Sequence, residues 1–222
     1  MMFVRPESKR RVLFIFSAIA FLLMAANFAA LESATQSSCQ QSCDGLPTLP
    51  PQSPPSRSFD TFIRQAYLGA YGRVATCLER QAEYNRLVNA AATGTLTAEA
   101  RRFVATLFMT QASYDAQDLT TYLQTSAYQA RNPQDHNDRA SIESFVADLY
   151  RAFLQREPDL GGQCFWSNDV CSAGRKHGIR AFEVSIEFGN LVNGLLDTGP
   201  ICCPRHCPPG YFWDCDLGFC TN

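Results

Sequence analysis

Residues 145–161 read Phe145-Val146-Ala147-Asp148-Leu149-Tyr150-Arg151-Ala152-Phe153-Leu154-Gln155-Arg156-Glu157-Pro158-Asp159-Leu160-Gly161, and the reading of this stretch decides the fold. Together with Ile142, the apolar positions Phe145, Val146, Leu149, Tyr150, Phe153 and Leu154 follow the i, i+3, i+4, i+7 rule of an amphipathic helix. The same spacing occurs 83 positions earlier, in Phe59, Phe62, Ile63, Ala66, Tyr67, Ala70 and Tyr71. The flanks correspond too, because Ser58 answers Ser141 and Arg73 answers Arg156. Further on, Tyr84 falls near the counterpart of Trp166. Arg101, Arg102, Phe108 and Tyr114 then match Arg175, Lys176, Phe182 and Phe188 at an offset of 74. The offset shrinks because the first copy is longer in its middle. The chain therefore carries two copies of one helical unit.

Each copy is expected to hold three helices, over about 59–72, 78–92 and 98–115 in the first and 141–155, 162–172 and 176–196 in the second. A connecting helix over 117–129 would turn Leu119, Tyr122 and Leu123 inward and end before Pro133. No segment alternates as a strand does, so no sheet is expected. The expected fold class is all-α, with two degenerate three-helix repeats (58–131 and 132–198), the connecting helix, and an irregular, disulfide-rich C-terminal tail (199–222).

Outside the repeats the composition changes. Residues 1–11 carry Arg5, Lys9, Arg10 and Arg11, and residues 12–30 are almost wholly apolar, the pattern of a secretory signal or membrane anchor. Small residues Ala29, Ala30, Ser33 and Ala34 suit cleavage near 34. Cleaved or retained, the segment places the remainder outside the cytosol. Residues 35–57 hold Cys39, Cys43 and a run of prolines, which reads as an extended spacer or stalk.

Ten cysteines in an exported chain read as disulfides. Connectivity stays open, but Cys164 and Cys171 lie about 10.5 Å apart along a helix and can pair only if that helix ends or bends. With 19 basic and 21 acidic side chains, the net charge of −2 argues against a nucleic-acid partner.

The string Phe145, Tyr150, Arg156, Pro158, Asp159, Gly161, Trp166, Phe182, Ser185, Glu187 and Phe188 resembles the bacterial domain-of-unknown-function family 4214. The repeats of that family read Phe-Val-x-x-Leu-Tyr, Leu-Gly-Arg-x-Pro-Asp-x-x-Gly, Tyr-Trp and Phe-x-x-Ser-x-Glu-Phe. The first copy is similar more loosely, and also resembles phycobilisome-linker repeats through Tyr71-Gly72-Arg73 and Glu83-Tyr84. The resemblance implies a helical module in exported proteins and transfers no reaction. Gln155 stands where the family has Gly, and Phe165 where it has Tyr. The first copy lacks Pro-Asp and the Trp.

Among candidate sites, Arg156, Asp159 and Trp166 have most chemical potential. A functional reading makes the 158–161 loop a cation or sugar site. A structural reading has Pro158 stopping one helix, Asp159 capping the next, and Gly161 or Gly162 at positive φ. Arg156 then pairs with Asp159 or Glu187, and Trp166 enters the core. Cys202, Cys203, His206 and Cys207 could offer zinc ligands, though an oxidising compartment opposes this and no metal or other cofactor is expected. Acidic residues such as Glu143 and Asp148 are scattered on helix faces like solvated charges, and no nucleophile or phosphate-loop motif occurs. Tyr211, Phe212 and Trp213 are the candidate contact surface. The expectation is a non-catalytic module of the bacterial cell envelope, not an enzyme, contacting an envelope protein or a glycan. An uncleaved N-terminal segment would add the membrane. The alternatives are an accessory of a carbohydrate-active or hydrolytic enzyme, and a metal-binding tail.

Overall fold

A computed structural model describes residues 39–50, 57–132 and 138–199, and the backbone of 212–214 and 219–221. The signal or anchor segment, Cys202, Cys203, His206, Cys207 and Tyr211 lie outside these residues. Among the described residues no helix is long and apolar enough to cross a membrane.

The first copy comprises α1 (Phe59–Tyr71), α2 (Cys77–Ala92), α3 (Leu96–Phe108) and α4 (Gln111–Asp115). After α5 (Ser126–Arg131), the second comprises α6 (Arg139–Leu149), a π-helical turn (Tyr150–Leu154), α7 (Leu160–Ala173), α8 (Arg175–Glu183) and α9 (Ile186–Asn193). Side-chain caps explain many of the starts, since each satisfies a first-turn N–H that has no intrahelical acceptor. Ser58 accepts from Thr61, Thr76 from Glu79, Asp138 from Ser141, Asp159 from Gly162, and Ser185 from Phe188.

The equivalence of the copies is visible in their packing. Gly69 and Ala152 occupy the same repeat position, and here α1 crosses the π-turn so closely that a Cβ on Gly69 would lie 2.4 Å from the Ala152 nitrogen. The two first helices thus meet backbone to backbone through the smallest residues each copy offers. Around this crossing Phe62, Phe103, Phe108, Phe145, Phe153, Phe182 and Phe188 form one buried cluster. Phe108 of the first copy lies edge-on to Phe145 and stacks on Phe153 of the second, at centroid distances of 5.9 and 6.2 Å.

The structure differs from several sequence expectations. The helix expected over 98–115 breaks at Met109, which bridges to Gln124. The helix expected over 176–196 breaks where Ser185 caps α9. Of the connecting helix expected over 117–129, only 126–129 is helical, as the start of α5, and 117–125 is a loop. Instead Asp118 accepts from the N–H groups of Thr120 and Thr121, and the buried Ser113 hydroxyl donates to Thr121 O and accepts from Leu123 N. Such side-chain bonds give the backbone an alternative to helix. Leu119 and Leu123 stay exposed, while Tyr122 packs against the core. Two small pairings also occur where no sheet was expected. β1 (Arg57–Ser58) runs parallel to β2 (Leu195–Leu196), and in the tail β3 (Phe212–Asp214) pairs antiparallel with β4 (Phe219–Thr221).

The spacer is the largest change of part. Residues 39–48 run antiparallel along α7 as a strap, with disulfides Cys39–Cys171 and Cys43–Cys164. Helix α7 stays continuous, so Cys164 and Cys171 pair outward with the strap and not with each other. The spacings match: seven helical residues advance about 10.5 Å, and four extended residues reach roughly 13 Å. Between the disulfides, Asn168 donates to Gln41 O at 2.6 Å and accepts from Gln41 N at 3.0 Å. Beyond them, Gly161 N donates to Pro47 O at 2.9 Å. Cys77, at the start of α2, is disulfide-bonded as well.

Candidate functional site

The motif string resolves into one cluster where the π-turn, the start of α7 and the start of α9 converge. Arg156 donates from Nε to Glu187 Oε1 at 2.6 Å and from Nη2 to Glu187 Oε2 at 3.0 Å, a bidentate pair. Its Nη1 lies 3.6 Å from Asp159 Oδ2, and the guanidinium sits 4.8 Å from the centre of the Tyr150 ring. Asp159 also caps α7, accepting from Gly162 N at 2.8 Å. Burial pushes the Tyr150 hydroxyl up to about 12, with Asp159 adding to the effect. Trp166 is half-buried, 5.1 Å from Phe182, whereas its neighbour Phe165 is exposed.

These side chains satisfy one another. The Arg156 guanidinium is engaged on both edges and one face, and both acidic partners are largely buried. The arrangement locks the end of the second copy's first helix to the starts of two others. Gly161 and Gly162 do not take positive φ as expected. They lie inside α7, where a Cβ on Gly161 would meet Thr48 Cγ2 at 2.4 Å and one on Gly162 the Tyr150 oxygen at 2.3 Å. Their absent side chains admit the strap on one side and Tyr150 on the other. Nor does Pro158 end the preceding helix. Gln155 does so three residues earlier, at φ 54°.

Asp148 is not a solvated charge: its side chain is fully buried. It accepts from the Tyr128 hydroxyl at 3.2 Å, and Arg131 Nη2 and Arg151 Nη1 approach at 3.1 and 3.3 Å. Arg131 also donates to the carbonyls of Gly69 and Ala70 at the end of α1. Burial pushes the Asp148 carboxyl up to about 6, against the pull of the two arginines. Asp148 lies one helical turn after Phe145, on the side that faces α5, and no local sequence signal sets it apart from a solvated acid.

Among the described residues no group of three or more His, Cys, Asp or Glu side chains could hold a metal ion. The tail candidates for zinc fall outside the described residues, and of the proposed contact surface only the backbone of Phe212 and Trp213 is placed, in β3. His177 pairs with Asp169 at 3.2 Å on the surface of α8.

Residues 129–192 match a family model described as domain of unknown function (DUF4214). The match spans α6 to α9 and includes every member of the Arg156 cluster. No curated protein and no solved structure matches the chain.

Proposed function

We propose that the chain is an exported, non-catalytic helical module that serves as a structural or interaction element of a bacterial cell envelope, contacting an envelope protein or a glycan. The observation that carries this reading is the mutual saturation of the Arg156 cluster. The motif residues with most chemical potential spend their hydrogen bonds on each other and on helix starts, so the string reads as a framework. The disulfides between the strap and α7 are compatible with an oxidising compartment. Export itself rests on the charged and apolar segments of residues 1–30. The tail, with Tyr211, Phe212 and Trp213, supplies the contact surface in this reading.

The test is a pull-down from envelope extract with the oxidised chain, with and without residues 200–222. The reading expects specific partners whose recovery falls when the tail is removed. Equal recovery would remove the tail from the proposal, and no specific recovery with either form would overturn the interaction role.

A further inference from the structure

Cys77 opens α2 and is disulfide-bonded, and its partner is none of the other described cysteines. Cys39 and Cys171 hold each other, as do Cys43 and Cys164. The chain has ten cysteines, and the remaining five are Cys202, Cys203, Cys207, Cys215 and Cys220, all in the tail. Elimination therefore sends the Cys77 bond to the tail. Four tail cysteines are then left over, an even number that can close bonds within the tail.

The fold independently delivers the tail to the same place. The Tyr84 hydroxyl donates to Asp197 Oδ1 at 2.6 Å, and the same oxygen accepts from Gly199 N at 3.0 Å. Just upstream, Leu195 and Leu196 pair with Arg57 and Ser58. The chain thus enters the tail while fixed against α2. Cys77 and Tyr84 are seven residues apart, so they share one face of α2 at a separation of about 10.5 Å. Cys202 follows Asp197 by five residues, a reach of up to about 17 Å, and the other tail cysteines have more chain. A disulfide needs Cα atoms within about 7 Å. The bond therefore forms without any rearrangement of the helices.

Helix α2 is also the counterpart of α7, since their N-caps Thr76 and Asp159 stand 83 positions apart, the offset of the repeat. We propose that the two ends of the chain close a crossed clasp. The strap before the first copy is cross-linked to the second helix of the second copy, and the tail after the second copy to the second helix of the first, through Cys77. The docking surface is the first half of α2, and its occupant is this chain's own tail. The bond forms by exchange with an external disulfide. One cysteine thiolate attacks it, the other displaces the mixed disulfide, and the oxidant leaves as two thiols that carry off both electrons and both protons. The pairing holds whether or not Tyr211, Phe212 and Trp213 contact an outside partner, so it can fail separately from the reading above.

The test is a tryptic map of the full, oxidised chain under non-reducing conditions, after free thiols are blocked. Trypsin releases Cys77 in residues 74–80 and the tail cysteines in 181–205 and 206–222. The expected product joins 74–80 to one or both tail peptides and separates on reduction. Recovery of 74–80 joined to a strap or α7 peptide, or carrying a blocked thiol, would overturn the clasp. A disulfide-linked dimer on a non-reducing gel would do the same. The variant Cys77→Ser is expected to expose a single new thiol on a tail peptide. Amides in the first turns of α2 and at Leu195–Leu196 should then exchange about tenfold faster or more, with α7 unchanged. Unaltered exchange in α2, or a new thiol in the strap, would refute the arrangement. The map of the wild-type chain decides the matter alone if the variant does not fold.

Discussion

The two copies solve the same joint with different materials. In both, the first helix ends in a left-handed residue followed at once by an arginine, Gly72-Arg73 in one and Gln155-Arg156 in the other. In both, that arginine lies over the tyrosine of the preceding turn, Tyr67 or Tyr150. Three residues later comes the N-cap of the next helix, Thr76 or Asp159. The carboxylate differs. Arg73 takes Glu79 from the helix that follows directly, closing a local capping box at the surface. Arg156 takes Glu187 from the last helix of its copy, under cover. At the position answering Glu187 the first copy has Ser113, which is spent on the 121–123 loop. One joint is local and wet, the other long-range and dry. The second is also braced by the strap, which among the described residues runs along α7.

The strap should dominate the difference in stability. A cross-link closing a loop of the size of Cys39–Cys171 or Cys43–Cys164 contributes roughly 4–5 kcal/mol in the chain-entropy account. Replacing Cys39, Cys43, Cys164 and Cys171 with Ser should lower unfolding free energy by at least about that amount, read by chemical denaturation. Hydrogen exchange sharpens the point: amides of α7 should lose far more protection than those of α2. Equal loss in both helices would mean the strap braces the whole molecule and not one copy.

The crossing at Gly69 and Ala152 should come next. Gly69→Val would drive a branched side chain into the Ala152 backbone and should cost at least about 3 kcal/mol, because backbone cannot be moved aside like a side chain. The reciprocal change Ala152→Gly, at the equivalent position, should cost only about 1 kcal/mol. Comparable losses from the two would remove the close approach as the explanation.

The arginines provide the direct contrast. Arg156→Met leaves Glu187 buried without its partner and should cost about 3 kcal/mol, with part of the loss recovered in the double variant Arg156→Met, Glu187→Met. Arg73→Met removes an exposed pair, with side chains 44% and 31% accessible, and should cost below about 1 kcal/mol. Urea midpoints of the three variants check this ordering.

Legibility in the sequence followed the range of the interactions. Helical periodicity placed α1 and α6 because their apolar stripes are local patterns, and the correspondence of Phe59–Tyr71 with the 142–154 segment located the joint. The pairing of Arg156 with Glu187 was among the readings drawn from the string. What stayed hidden depended on distant segments. Nothing near Cys39 says that it faces Cys171, and Asp148 looks like any acidic helix residue until Tyr128, Arg131 and Arg151 are brought round it. The 117–125 loop defeated the helical expectation because one aspartate and one buried serine outbid the weak preference of a Thr-rich stretch.

Titration separates the copies by sign. Asp148 has its carboxyl raised to about 6, so the folded state holds a proton that the unfolded chain has released. Its contribution is fully present below about pH 4 and is lost as pH rises through 6, a change of about 1–3 kcal/mol. Glu79 is the opposite: hydrogen bonds from Arg73 hold its carboxyl down at about 2, so its contribution is present above about pH 4.5 and lost as pH falls toward 2. Asp148→Asn should flatten stability between pH 4 and 6 and leave the acid limb, and Glu79→Gln should do the reverse. Thermal melts across pH 2–7 would read both. A wild-type profile whose pH 4–6 limb survives Asp148→Asn would place the titrating group elsewhere.

The smallest effect concerns the left-handed cap itself. Gly72 takes φ 64° without steric penalty, whereas Gln155 takes φ 54° with a side chain, at a cost of roughly 1–2 kcal/mol. The strain is offset by what that side chain does. It accepts from Arg57 Nη1 at 2.6 Å and donates to Phe62 O at 3.3 Å, tying the entry of the first copy to the exit of the second copy's first helix. Gln155→Gly would relieve the strain and lose both bonds, each worth about 1 kcal/mol net. Unfolding free energy should therefore change by less than about 1 kcal/mol, while Arg57 and the β1–β2 pairing lose hydrogen-exchange protection. Gln155→Ala keeps the strain and loses the bonds, so it should be the less stable of the two by about 1 kcal/mol. If the alanine variant matched the glycine variant, the left-handed backbone would not be what distinguishes Gln155 from Gly72.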